Sequence, residues 1–583
     1  MGYGSETAAL GCGACEIRSR EAGERLFRAD KVPEGARSGI IGVARALAGR
    51  RRRADREGEG MVNLFSTVTK YLCILFIVLY SYCNFRILSL RREENARTLC
   101  GLQFQIILLI HLLFSAVILL KTEDPMLLLF YFAQLAFFLI YRFLFRRIYR
   151  NVNQLLLNNV CLFLCYGFIM LERLNLNKSL KQYVIAVAAS FLSLLIPFLI
   201  DKIWDLAKYR LYFAGIGIFF LLLVFGIGVT SYGARMSLSI GGFSFQLSEL
   251  VKISFVLSLS GFLYQARRFR EILPAAVIAG AHILILVLCK DLGSALIFFL
   301  SFLVMLYIAT NRSVYLFLGG IAMSLAASLS YFLFQHVRTR FFAWRDPWAD
   351  MSDRGYQITQ SLFAIGTGGF FGLGLFQGLP NKIPIVEKDF IISAISEEMG
   401  AVTAICLTLL CLGCFMQMMM IATYMEFSFY KLAAVGLAMQ YIAQVFLTIG
   451  GAVKFIPSTG VTLPFVSYGG SSLIASFFVF SLIQALYIIQ GNEDEAEEEG
   501  EERESCERGG ASAFFQKAMS GKETAAGMGK SDYGKESALS DYEDFDEEGE
   551  EEDFEEEEGI GPEAEKRDLS GKEGRKKGGR NGR

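Results

Sequence analysis

Leu211-Tyr-Phe-Ala-Gly-Ile-Gly-Ile-Phe-Phe-Leu-Leu-Leu-Val-Phe-Gly-Ile-Gly-Val229 holds no charged side chain from end to end. At about 1.5 Å per residue, a helix of that length crosses the roughly 30 Å hydrocarbon core of a bilayer. The stretch is one of a series. Working outward from it, apolar spans are predicted at about 69–88, 101–120, 126–145, 155–171, 182–200, 249–264, 272–289, 292–309, 313–334, 399–422, 431–450 and 471–489. With 211–229 they make about thirteen crossings. The fold class is therefore an all-α polytopic membrane protein, and a soluble multidomain enzyme is excluded.

The formal net charge of −1 hides an uneven distribution. Lysine and arginine in short loops set orientation, because they are retained on the cytoplasmic side. Arg91, Arg92 and Arg97, then Arg146, Arg147 and Arg150, then Lys202, Lys208 and Arg210, then Arg267, Arg268 and Arg270 fall in alternate loops. That alternation puts the long segment at about 335–398 outside the cell and the C-terminal tail inside. Residues 1–60 are basic, contain no span, and read as a disordered head or an over-extended reading frame with the true start at Met61. Residues 491–583 carry acidic blocks and then a basic end. Such composition cannot bury a core and reads as a disordered cytoplasmic tail. The pairs Cys12/Cys15 and Cys411/Cys414 lack second halves or supporting histidines, so the metal reading is weak. No nucleic-acid partner is expected.

The chemistry gathers in the outer loops. Glu249 and Lys252 stand three apart at a span's edge, where they share a helix face and can pair. They form either a site or an interfacial ion pair. Asp291 stands at the external end of another span, next to Lys290, where a carboxylate needs a partner. A positioning role suits it better than chemistry. The external segments also collect Arg235, Arg338, Arg340, Arg345, Lys382, Lys388 and Lys454. Such an accumulation suits an anionic ligand such as a diphosphate, or local pairing with Asp346, Asp350, Asp353 and Glu387. Asp389 follows Lys388 in a mostly apolar stretch, with Glu397 and Glu398 two turns later, the placement of a general base at an external cavity. Gly366-Thr-Gly-Gly-Phe-Phe-Gly-Leu-Gly374 follows no strand and so fits a tight or re-entrant backbone better than a dinucleotide loop. Prolines, glycines and hydroxyls from Gly451 to Ser472 predict a shaped, non-helical wall.

Five ordered segments then resemble the SEDS family, of FtsW, RodA and SpoVE type, in a divergent clostridial-like branch nearest FtsW. They are Gly233-Ala-Arg with Gln246-Leu-Ser-Glu249; Asp291-Leu-Gly-Ser-Ala295; Asp346-Pro347 with Gly355-Tyr-Gln-Ile-Thr-Gln-Ser-Leu362; Asp389-Phe-Ile with Glu397-Glu-Met-Gly400; and Pro457-Ser-Thr-Gly460 with Leu463-Pro-Phe-Val-Ser-Tyr-Gly-Gly-Ser-Ser472. The resemblance covers about 153–490. It implies a ten-helix core, to which residues 61–152 add about three transmembrane helices. It implies a peptidoglycan glycosyltransferase that polymerises lipid II outside the cell during division or elongation. Asp389 matches the family's essential aspartate. Arg235, Glu249, Lys252, Asp291, Arg338, Arg345, Gln357, Lys388, Glu398, Lys454, Ser467 and Ser471 are then the expected substrate contacts. A divalent cation (Mg or Mn), a class B penicillin-binding protein and other division or elongation proteins are the expected cofactor and partners. The rival readings are a lipid II flippase and a catalytically inactive scaffold. The chain departs from the family pattern at Leu247, at Met236-Ser237, at Glu387-Lys388 and at Thr448.

Overall fold

The computed structural model describes residues 34–90, 93–203, 205–231, 234–240, 243–425 and 428–492, of which 34–59, 93–94 and 229–244 are described by backbone alone. The tail reading and the Cys12/Cys15 pair lie outside the described residues. The helices are α1 (Glu34–Ser89), α2 (Glu93–Thr122), α3 (Pro125–Ile148), α4 (Gln154–Leu174), α5 (Leu176–Lys202), α6 (Arg210–Ile227), α7 (Leu247–Leu263), α8 (Phe269–Leu288), α9 (Leu292–Thr310) and α10 (Ser313–Leu333). Then come α11 (Gln335–Arg345), α12 (Tyr356–Gly368), α13 (Ile391–Met399), α14 (Ala401–Tyr424) and α15 (Ser428–Ala452). The last, α16, runs Gly470–Asn492. Among the described residues, twelve helices are long and apolar enough to cross a membrane. The thirteenth predicted span is α7, which has 17 residues and buries Glu249 and Lys252.

Two local features differ from the sequence reading. α1 begins at Glu34, inside the stretch read as an unstructured head. Alanine and arginine, which recur through residues 36–56, are among the strongest helix formers. Between α6 and α7 the chain forms a small antiparallel meander, β1 (Val229–Ser231), β2 (Ala234–Ile240) and β3 (Phe243–Phe245). Its alternation was masked by the surrounding apolar runs.

The centre of the bundle is α4, in which every residue from Leu155 to Leu171 is buried. The three leading helices pack onto it and its neighbours: α2 against α4, α1 against α14, and α3 against α5. Polar bonds inside the bundle pin them. Tyr80 donates to Asn159 Oδ1 at 2.8 Å, and Asn159 donates to Asn84 Oδ1 at 2.9 Å. Asn158 donates to the Cys100 carbonyl at 2.8 Å. In lipid such groups have no water to fall back on, so their pairing fixes the register of the helices. Gly413 supplies the space for Asn84, whose Nδ2 lies 2.4 Å from where a β-carbon would stand. Cys411 and Cys414 are buried free thiols in the same helix.

Bonds between loops sort the two ends of the bundle. Lys178 pairs with Glu387, Arg173 with Glu398, Gln246 with Asp291, and Arg340 with the Ser458 carbonyl. The segments after α4, α6, α8, α10 and α15 therefore share one face. Asn151 and Asn492 meet at the other.

Candidate active site

The shared-face loops build a site around Asp389. This residue ends an irregular segment and immediately precedes Phe390 and α13, whose nine residues are all buried. Ser467 Oγ holds the segment by donating to the Lys388 carbonyl, and Tyr468 N donates to the Glu387 carbonyl at 2.7 Å. Gln357 Nε2 holds it from α12 by donating to the Pro384 carbonyl at 2.9 Å. These three bonds are to backbone, and the Lys178 pair holds the Glu387 side chain, so the loop is fixed while the Asp389 carboxylate is left free. Among the described residues, no hydrogen bond or ion pair ends on it.

Across from Asp389 stands Arg340 of α11. Its Nη1 donates to the Ser458 carbonyl at 3.1 Å. Gly460, at φ +78°, lies between the two groups: a β-carbon there would sit 3.4 Å from Arg340 Nη2 and 3.7 Å from Asp389 Oδ2. The backbone conformation and the lack of a side chain together keep a gap between cation and carboxylate. Burial raises the Asp389 carboxyl to about 6, against the pull of Arg340 and Lys388 and with a smaller push from Glu387. Burial lowers the Arg340 guanidinium, which Asp389 and Asp291 support.

Asp291 is fixed differently. It caps α9, with Oδ1 accepting from Ser294 N at 3.2 Å. Its Oδ2 accepts from Ser294 Oγ at 2.8 Å, and from Ser248 Oγ and Gln246 Nε2 at 3.3 Å each. Lys290, its neighbour in sequence, is not its bonded partner; two hydroxyls, an amide and the Ser294 backbone N–H are. Beside it, Glu249 and Lys252 form a buried ion pair at 2.8 Å. Lys252 also donates to Gln444 Oε1 at 2.6 Å, and Gln444 donates to the Thr462 carbonyl at 2.9 Å. This pair is the strut between α7, α15 and the last loop, and a snorkelling pair at an interface would not be buried. Thr448, one of the departures from the family pattern, donates to the Val461 carbonyl at 2.9 Å and braces the same loop.

The remaining predicted residues fall in several places. Ser467 accepts from Leu463 N at 3.0 Å and shapes the last loop. Ser471 is buried, but the hydroxyl in the network is its neighbour's: Ser472 accepts from Thr462 Oγ1 at 2.9 Å. Glu398 pairs with Arg173 at 3.0 Å, at the far end of α13 from Asp389. Lys388 flanks Asp389, and Lys454 closes α15 with φ +61°. Arg338 and Arg345 are exposed on α11. Of the two outer arginines Arg338 and Arg340, it is Arg340 that lies beside Asp389. Two residues apart on a helix means about 200° of rotation, so only one of them can face the site. Arg235 lies on β2 opposite Thr230, and its side chain is outside the description. Among the described residues, no three His, Cys, Asp or Glu side chains are grouped to hold a metal. The described residues around Asp389 do not form a cation cage.

Residues 152–490 match the family model of FtsW, RodA and SpoVE, described as cell cycle protein. The peptidoglycan glycosyltransferase RodA of Mycobacterium tuberculosis is 34% identical over 372 residues, covering 58% of this chain and 78% of that one. A probable peptidoglycan glycosyltransferase FtsW of a Geobacter species is 35% identical over 269 residues, covering 44% and 73%. A solved structure described as the structural coordination of polymerization and crosslinking by a peptidoglycan synthase complex aligns with TM-score 0.50 at 25% identity. It covers 58% of this chain and 98% of its own. The matched residues contain the whole Asp389 site and exclude the three leading helices; this multi-pass membrane protein belongs to the FtsW/RodA/SpoVE family.

Proposed function

We propose that this chain, a peptidoglycan glycosyltransferase, polymerises lipid II at the external membrane face with Asp389 as its general base. Asp389 would take the proton from the acceptor sugar's 4-hydroxyl as that oxygen attacks the anomeric carbon of the donor. The bond to the lipid diphosphate breaks, and the leaving diphosphate carries away the electron pair. The observation that carries this reading is the unbonded Asp389 carboxylate facing Arg340 across Gly460. A carboxyl near 6 is mostly ionised at neutral pH, yet basic enough to accept a proton in the transition state. Arg340 stands ready for developing or resident phosphate charge. The loop charges support site loops outside the cell and a tail inside it. A class B penicillin-binding protein is the partner that would crosslink the product.

The test is polymerisation of labelled lipid II by the purified full chain with its transpeptidase, wild type against Asp389→Asn. Glycan from the wild type alone supports the assignment. Glycan from both, with the variant folded, removes Asp389 from the chemistry.

A further inference from the structure

The three leading helices lie outside the family-matched residues, yet one of them reaches the loop that clamps the catalytic helix. Lys70 of α1 donates from Nζ to the Gly372 carbonyl at 3.0 Å. One residue along, the rings of Tyr71 and Phe371 meet at 5.8 Å. Gly372 belongs to the glycine-rich turn, where Gly369, Gly372 and Gly374 all have positive φ. That turn wraps the C-terminus of α13. Leu373 N donates to the Glu397 carbonyl at 2.9 Å, and Gly374 N to the Glu398 carbonyl at 2.8 Å. Ala401 N and Val402 N return the contact to the carbonyls of Gly369 and Phe370. The approach is too close for side chains: β-carbons on Gly368 and Gly372 would meet the Ser396 and Glu398 carbonyls at 2.1 and 2.5 Å. Asp389 stands two residues before the other end of α13. Nine residues make it about 13 Å long, and it is buried throughout, so a shift at one end is transmitted to the other. Ser66, Lys70 and Glu398 also line one narrow cleft between α1 and this turn.

We infer that Lys70 is a positioning residue through which the leading helices hold the glycine turn, and with it α13, in the register that sets Asp389. The inference rests on the reading of Asp389 as the base. It makes the leading helices a built-in part of the catalytic apparatus and not simply extra membrane anchors.

The test uses the full chain with its transpeptidase and compares Lys70→Met and Lys70→Arg with wild type. Lys121→Met is the control. It removes a bond to Asn63 Oδ1 within the leading helices that does not end on the turn. Two quantities are read: kcat and KM for lipid II polymerisation, and hydrogen exchange of the backbone at 369–378. Lys70→Met is expected to lower kcat about tenfold with KM little changed, the loss of roughly one hydrogen bond to the turn, and to speed exchange in the turn. Lys70→Arg restores both, and Lys121→Met alters neither. Unchanged exchange in Lys70→Met, or faster exchange with kcat intact, overturns the inference. If wild type makes no glycan, the catalytic reading fails, and slow exchange restored by arginine but not methionine still decides the contact.

Discussion

Asp291 and Asp389 are two aspartates on the same face of the bundle, and both support Arg340. Burial raises both carboxyls. Yet Asp291 accepts four hydrogen bonds from Ser294, Ser248 and Gln246, while Asp389 accepts none among the described residues. A carboxylate whose acceptor sites are filled is a fastener. One that is held by its backbone and left empty at its oxygens can take a proton from a substrate. The same residue type thus has opposite uses, decided by what its neighbours donate. The comparison predicts opposite outcomes for the same substitution.

The largest effect is expected at Asp389. Asp389→Asn removes a general base, whose contribution is typically about 10²–10⁴-fold, and should cut polymerisation by that order in the lipid II assay. It should also make the protein more stable. A raised carboxyl means the fold prefers the neutral form, so stability linked to this group is fully present below the unfolded value near 3.8 and is lost as pH rises through about 6. At pH 7.5 the ionised group costs up to about 3 kcal/mol, less what its partial exposure returns. Asparagine removes that cost. Thermal unfolding in detergent should show a higher transition for Asp389→Asn at pH 7.5, and no difference near pH 4. A variant less stable than wild type at pH 7.5 would break the comparison.

Gly460 comes next. Gly460→Ala places a methyl in the gap between Arg340 and Asp389 and forces a side chain into φ +78°. The backbone strain alone is about 1–2 kcal/mol. Activity should fall roughly tenfold or more, and a saturation curve at fixed transpeptidase would show whether kcat or KM carries it. Asp291 should behave as a fastener. Asp291→Ala strands the Ser248, Ser294 and Gln246 donors and uncaps α9, at a cost of about 1–3 kcal/mol, visible as a lower unfolding transition. Asp291→Asn keeps an acceptor and should lose much less, in stability and in polymerisation alike. A catalytic Asp291 would show the reverse, with asparagine as inactive as alanine.

How much of this could be read from the residues follows the same division. The spans were legible because a bilayer imposes length and apolarity on each one separately, and Leu211–Val229 needs no partner to be recognised. Asp389 was legible as a base candidate from the charge it carries in a mostly apolar stretch. What was not legible depends on rotation and on distant backbone. The choice of Arg340 over Arg338 follows from which face of α11 meets the last loop, and nothing local states that face. Two of the donors to Asp291, Ser248 and Gln246, come from the start of a neighbouring span, 43 and 45 residues earlier. The small meander after α6 and the helix α13 are too short for periodicity to announce them. Gly372 and Gly400 were visible as glycines, but their purpose, a backbone-to-backbone clamp on α13, appears only when both strands of the contact are in place.

The smallest expected effect is also the finest test of the difference between the two aspartates. If Asp389 is the base, kcat/KM should have an acid limb centred near pH 6, falling about tenfold per pH unit below it as the carboxylate is protonated. Arg340 lowers that carboxyl by its charge, so Arg340→Met should move the midpoint upward, while Arg340→Lys keeps a cation and should leave it closer to wild type. Asp291→Asn alters a group tied up in hydrogen bonds and should scale the whole profile without moving its midpoint by a comparable amount. The shift under Arg340→Met is modest because a second cation, Lys388, acts on the same carboxyl and remains. A midpoint that follows Asp291 and ignores Arg340 would exchange the roles of the two aspartates, and the empty acceptor sites of Asp389 would then need another explanation.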